Sequence, residues 1–181
     1  GRKSGGASTN TQMTDAEDKD GTKLDIVSAV VQGETDRYES LVETVDLERR
    51  SGTGRTLLHK AASMGRRAIV EDLIDRGVDV DAQDDGGRTP LHLAVQKGHE
   101  TIVVALLESG ADPSIGDMYG ARPLQKAVSN DDYQLAERLL EHGADPTHEN
   151  EADISPLHIA RRADADRYIE LLESYADEGD A

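Results

Sequence analysis

The sequence repeats itself every 33 residues, and no other property limits its fold as strongly. The clearest unit runs from Gly87 to Pro113 and reads as two short antiparallel helices. Thr89 stands where an N-cap hydroxyl is wanted, and Pro90 follows at the first helical position, where a missing N–H costs nothing. Leu91, Ala94 and Val95 form a short apolar face, Gly98 breaks it, and Glu100 opens a second helix beside the positive end of its dipole. Ile102, Val103, Leu106 and Leu107 make the second face. Gly110 ends it as a left-handed cap, and Pro113 prevents its resumption. Neither helix is long enough to stand alone, so the unit must stack on copies of itself. Such copies exist. Thr56, Thr89, Arg122 and Ser155 lie in register, as do Ala61, Ala94, Ala127 and Ala160, and Leu73, Leu106, Leu139 and Leu172. The turns Gly77-Val78-Asp79, Gly110-Ala111-Asp112 and Gly143-Ala144-Asp145 align as well.

The elements Thr56-Leu57-Leu58-His59, Thr89-Pro90-Leu91-His92 and Ser155-Pro156-Leu157-His158, at this period, resemble the ankyrin repeat family and its T-P-L-H-x-A signature. The resemblance covers about Ser51 to Asp177, with a degenerate extension back to Leu24. It implies an all-α solenoid of stacked helix-turn-helix units with short β-hairpin-like loops. Residues 1–22 are polar, with almost nothing to bury, and are expected to be a disordered tail. Residues 23–181 are expected to form the repeat domain. Within it, 23–50 reads as a worn capping unit, with Leu24, Ile26, Val27, Val30 and Val31 on one helical face. Repeats follow at 51–83, 84–116 and 117–149, and 150–181 reads as a C-terminal cap. In that last unit Asp153 replaces the hairpin Gly and Glu173 replaces an apolar residue, as an end facing solvent would show. The unit at 117–149 departs most from the pattern. Arg122 replaces the capping Thr, Gln125 the His and Asp131 the inter-helix Gly, so it is expected to be weakest, by roughly 1 kcal/mol for the lost cap.

The formal charge is -17, and its location matters more than its size. From Ser51 onward, the hairpin and first-helix halves of the units carry a net +1 and the second halves a net -14. The resemblance implies that the first halves line a concave face and the second helices form a convex back. A near-neutral groove with an acidic back argues against nucleic acid, which needs a basic stripe. It also argues against a partner held mainly by positive charge. Only 6 of the 20 basic residues are Lys. Acid-rich, Lys-poor surfaces resemble those of salt-adapted organisms; a plain solubilising skin is the other reading. There is no Cys, so disulfides and thiolate chemistry are excluded. No apolar run reaches the ~18 residues of a membrane span, and no apolar segment follows the N-terminal basic residues. A cytoplasmic monomer without membrane contact is expected. The chain starts at Gly1, and two readings stay open: Met13 is a natural start behind a tag, or the chain comes from something longer.

No catalytic, metal or cofactor constellation emerges, and an enzyme is not expected. His59, His92 and His158 recur one per repeat, roughly 10 Å apart, too far to share a metal whose ligands sit at about 2 Å. The resemblance implies that this His instead bonds the capping Thr and the backbone of the adjacent unit. Asp79 to Gly86 has Asp84 and Pro90 where a calcium loop needs Gly and Glu. No Ser lies in a nucleophile elbow.

What remains is the variable surface. Hairpin tips and the exposed sides of first helices need not hold the stack, and the resemblance implies that partners bind there. The candidate partner-binding residues are Arg55, Met64, Arg88, Gln96, Lys97, Met118, Tyr119, Lys126, Ser129, Asn130 and Arg162. Met118-Tyr119 has the character of an interface anchor, or else packs on the neighbouring hairpin. Arg55, Arg88 and Arg122 form either a basic ladder for acidic side chains or intramolecular pairs with Asp85 or Asp117. The expected function is protein–protein interaction through the concave surface, without cofactor. The alternative is a regulatory segment of a larger protein docking on its own neighbouring domain.

Overall fold

The structure, a computed structural model, describes residues 22–178. The expected tail lies outside them except for Thr22, and the Leu24 side chain also lies outside what is described. Ten helices follow in five antiparallel pairs: α1 (Thr22–Gln32) with α2 (Thr35–Val42), α3 (Leu57–Ser63) with α4 (Arg67–Asp75), and α5 (Pro90–Lys97) with α6 (Glu100–Glu108). Then come α7 (Pro123–Ser129) with α8 (Tyr133–Glu141), and α9 (Pro156–Arg162) with α10 (Asp166–Glu178). First helices pack in the row α1–α3–α5–α7–α9 and second helices in the row α2–α4–α6–α8–α10. No strand occurs among the described residues. The chain is a helical repeat solenoid.

One core runs its length. Leu73, Leu106, Leu139 and Leu172 are all fully buried in it, with Ile26, Ala29 and Val30 at the N-terminal end. Small residues at the helix contacts let the rows approach: Ala61, Ala94 and Ala127 have no exposed surface. At the C-terminal end the positions of Val128 and Leu140, both buried, are taken by Arg161 and Glu173, which form an exposed ion pair at 2.8 Å. An apolar face that another unit could cover is there replaced by charge.

Three of the first helices, α3, α5 and α9, start with a capping box in which His replaces the usual Glu. Thr56, Thr89 and Ser155 are extended and accept the backbone N–H of His59, His92 and His158. The ring Nδ1 of each His accepts the N–H of the cap residue in return, at 3.1, 3.1 and 3.3 Å. The other ring nitrogen crosses to the next unit: Nε2 of His59 donates to the Arg88 carbonyl at 2.9 Å, and that of His92 to the Ala121 carbonyl at 3.1 Å. Gln125 keeps both functions without a ring. Its Oε1 accepts the Arg122 N–H at 3.3 Å and its Nε2 donates to the Ile154 carbonyl.

Arg122 has no acceptor in its side chain and caps nothing. The unit is nonetheless not simply weakened. The Asp132 carboxylate accepts the Leu135 N–H at 3.1 Å and caps α8, whereas α4 and α6 have no side-chain cap. One cap is lost at α7, as expected, and one that was not expected is gained at α8. Asp131 takes the left-handed conformation vacated by Gly, at φ 58°.

Candidate protein-binding groove

The groove is built on four turns that share one device. Ser51, Asp84, Asp117 and Asn150 each use one side-chain oxygen to accept two backbone N–H groups, two and four residues on. Each turn is also closed by a backbone bond over the same four residues, Asp84 N–H to the Arg88 carbonyl at 2.8 Å being one. These tips then pair with one another by single bonds. Asp85 N–H donates to Thr53, Met118 N–H to Gly86 and Glu151 N–H to Tyr119, at 3.1, 2.9 and 3.0 Å. One bond per neighbour makes a ribbon without a strand. It is tight: a Cβ on Gly87, whose φ is +74°, would lie 2.8 Å from Met118 N.

The tips and first helices together enclose a groove of about 730 Å³ over the last three pairs. Of the candidate residues it gathers Arg88, Gln96, Lys126, Ser129 and Arg162. Arg55, Met64, Lys97, Asn130, Met118 and Tyr119 lie outside its lining. Met64 is 38% exposed, at the end of α3, while Met118 and Tyr119 are 58% and 62% exposed at their tip. The Tyr119 backbone is tied on both sides by hydrogen bonds while its ring stays largely open. Ser129 is partly committed, its hydroxyl donating to the Gln125 carbonyl at 2.8 Å.

The arginines divide. Arg55 and Arg88 both pair with Asp84, at 3.1 and 3.0 Å, rather than with Asp85 or Asp117. The Asp84 carboxylate is almost fully buried. Burial works to raise its pKa, but the Arg88 N–H and the two guanidinium groups outweigh it and hold the carboxyl below the usual range. Arg122 joins neither pair, and no described carboxylate lies within ion-pair distance of it.

The groove also contains residues that the repeat pattern did not single out: Asp117, Ala121, Asn150, Ile159 and Ala163, with His92 and Gln125 at its base. A signal was present in the register. The position held by Arg55 and Arg88 becomes Ala121 and Ile154 in the next two units, so the charge at that level gives way to apolar surface. Burial lowers the pKa of His92, so the ring that forms part of the groove wall is neutral and occupied with its two backbone bonds. Among the described residues no three His, Asp or Glu converge as a metal site would require, and no helix is long and apolar enough to cross a membrane.

No curated protein matches the chain. A family model described as ankyrin repeats (3 copies) matches residues 19–117 and again 85–150. Ankyrin repeats are in general protein–protein interaction modules, a non-catalytic fold. With that match spanning most of the chain, and with five stacked helix pairs, two of which reach the next through a Thr–His cap, this protein belongs to the ankyrin repeat family.

Proposed function

We propose that the chain binds a partner protein on its concave surface, through the groove and the adjoining tip of Met118 and Tyr119. The observation that carries this reading is the 730 Å³ groove flanked by a Met–Tyr pair whose side chains the stack leaves exposed. The walls are fixed by backbone bonds between neighbouring units, so binding orders little that is not already ordered. Aromatic and thioether side chains at such a rim supply contact area at low entropic cost.

Photo-cross-linking in the native host tests this. A photoreactive residue at Gln96 or Tyr119 should capture a partner that the same residue at Glu108 or Glu141, on the second helices, does not. Met118→Ala with Tyr119→Ala should weaken capture while leaving the melting temperature nearly unchanged. Capture from the second helices alone, or loss of binding and melting temperature together, would overturn the proposal.

A further inference from the structure

We infer that the groove takes an extended acidic segment of the partner, one that also carries an aliphatic side chain. This rests on the concave-face reading above and adds the chemistry of the ligand. Four cations line the groove, Arg88, Arg122, Lys126 and Arg162, against a single carboxylate, Asp117. Asp117 is already engaged, one oxygen accepting the Tyr119 and Ala121 N–H groups at 2.9 and 3.0 Å. Arg88 is offset by Asp84. Arg122, Lys126 and Arg162 have no described carboxylate within ion-pair distance, in a chain whose formal charge is -17. Arg122 is the most telling of the three. It stands at the N-cap of α7, where the equivalent residues Thr56, Thr89 and Ser155 supply a hydroxyl, so a capping bond is forgone where a groove cation is gained. Its buried Nε has no acceptor among the described residues.

Between these cations lies apolar floor: Ala121, Ile154, Ile159 and Ala163. Carboxylates at the rim and an aliphatic side chain on the floor would satisfy both surfaces at once. A basic ligand would meet like charge in the groove. A nucleic acid would present phosphate without an aliphatic group, and its dense charge would be repelled by the acidic remainder of the protein. Over a Debye length of about 10 Å the nearby cations dominate what a short acidic segment feels.

Fluorescence anisotropy with the intact chain tests the inference. The probes are a short labelled peptide of Glu, Asp and Leu, the same peptide with Lys for every acid, one with Ser for Leu, and a labelled single-stranded oligonucleotide. The acidic peptide should bind, and more weakly as KCl rises from about 0.05 to about 0.5 M. The combined variant Arg122→Gln, Lys126→Gln, Arg162→Gln should weaken binding by about tenfold, as expected for three partly exposed charge pairs. Arg67→Gln with Arg138→Gln, on the second helices and outside the groove lining, should leave it within about twofold. The Ser peptide should bind more weakly than its Leu parent. No binding of the acidic peptide at about 1 mM, equal binding to parent and groove variant, or tighter binding of the Lys peptide or the oligonucleotide would overturn the inference. The cross-linking experiment separates the two ideas. A partner captured at Gln96 equally well by the groove variant overturns the acidic-segment inference and leaves the concave-face reading standing.

Discussion

His59→Ala should cost far more stability than His158→Ala, although the two residues occupy the same position in their repeats. His59 has no exposed surface. Its ring satisfies the Thr56 N–H at 3.1 Å within its own unit and the Arg88 carbonyl at 2.9 Å in the next. Truncation strands the buried Thr56 N–H, at about 1–3 kcal/mol, removes one of the two bonds that the Arg88 carbonyl accepts, and leaves a small cavity. About 4 kcal/mol is expected in total. His158 is about half exposed, bonds the Ser155 N–H at 3.3 Å, and has no following unit to reach. Its truncation should cost less than about 1 kcal/mol, because water replaces what is lost. Gln125 indicates the rescue. His59→Gln keeps an acceptor and a donor on the bonds that Gln125 makes in its own unit, so it should cost only about 1 kcal/mol. Urea unfolding followed by far-UV circular dichroism at about pH 8, where the His59 ring is neutral in both states, gives the three differences. If His59→Ala and His158→Ala are equally destabilising, or if Gln at position 59 is no better than Ala, the cross-unit bond does not stabilise the stack as argued.

Glycine at two left-handed positions should respond differently to alanine. Gly77 (φ +77°) has nothing within 4 Å of a built Cβ, so Gly77→Ala should cost the backbone strain alone, about 1–2 kcal/mol. Gly87→Ala adds a contact 3.0 Å or closer with the backbone of Asp117 and Met118, and should cost at least about 3 kcal/mol in the same unfolding assay. Stability should also fall in acid in two stages. Burial holds His59 and His92 below their ordinary pKa, so the unfolded chain takes up protons first. That part of the stability is intact above about pH 6.5 and declines as the pH drops toward the folded pKa values, a decline that His59→Gln should reduce. Asp84 and Asp145, which burial tends to raise but hydrogen bonds lower overall, contribute a further loss below about pH 4. Thermal melts against added KCl test the salt-adapted reading of the acidic back: the melting temperature should rise with salt, and a flat or falling curve rejects that reading.

The register of this protein was determined by its sequence, because a repeat writes the same local physics several times. Thr89, Pro90, Gly98 and Gly110 mark helix starts and stops through backbone chemistry that depends only on near neighbours, and the structure has α5 and α6 between them. Leu73, Leu106, Leu139 and Leu172 recur at one period, and a buried position in a stacked unit requires an apolar side chain wherever it recurs. What the tertiary structure alone decided is how charges separated by about a repeat meet. Asp84 draws Arg55 from the preceding tip and Arg88 from its own, removing two arginines from an apparent ladder of three, because the tips lie within side-chain reach of one another only once the units are stacked. The Asp132 cap on α8 offsets the missing hydroxyl at Arg122 for a related reason: a carboxylate is a cap only when the backbone turns its N–H groups toward it. The groove floor of Ala121, Ile154 and Ile159 likewise joins residues from different units, so no single stretch of sequence contains it.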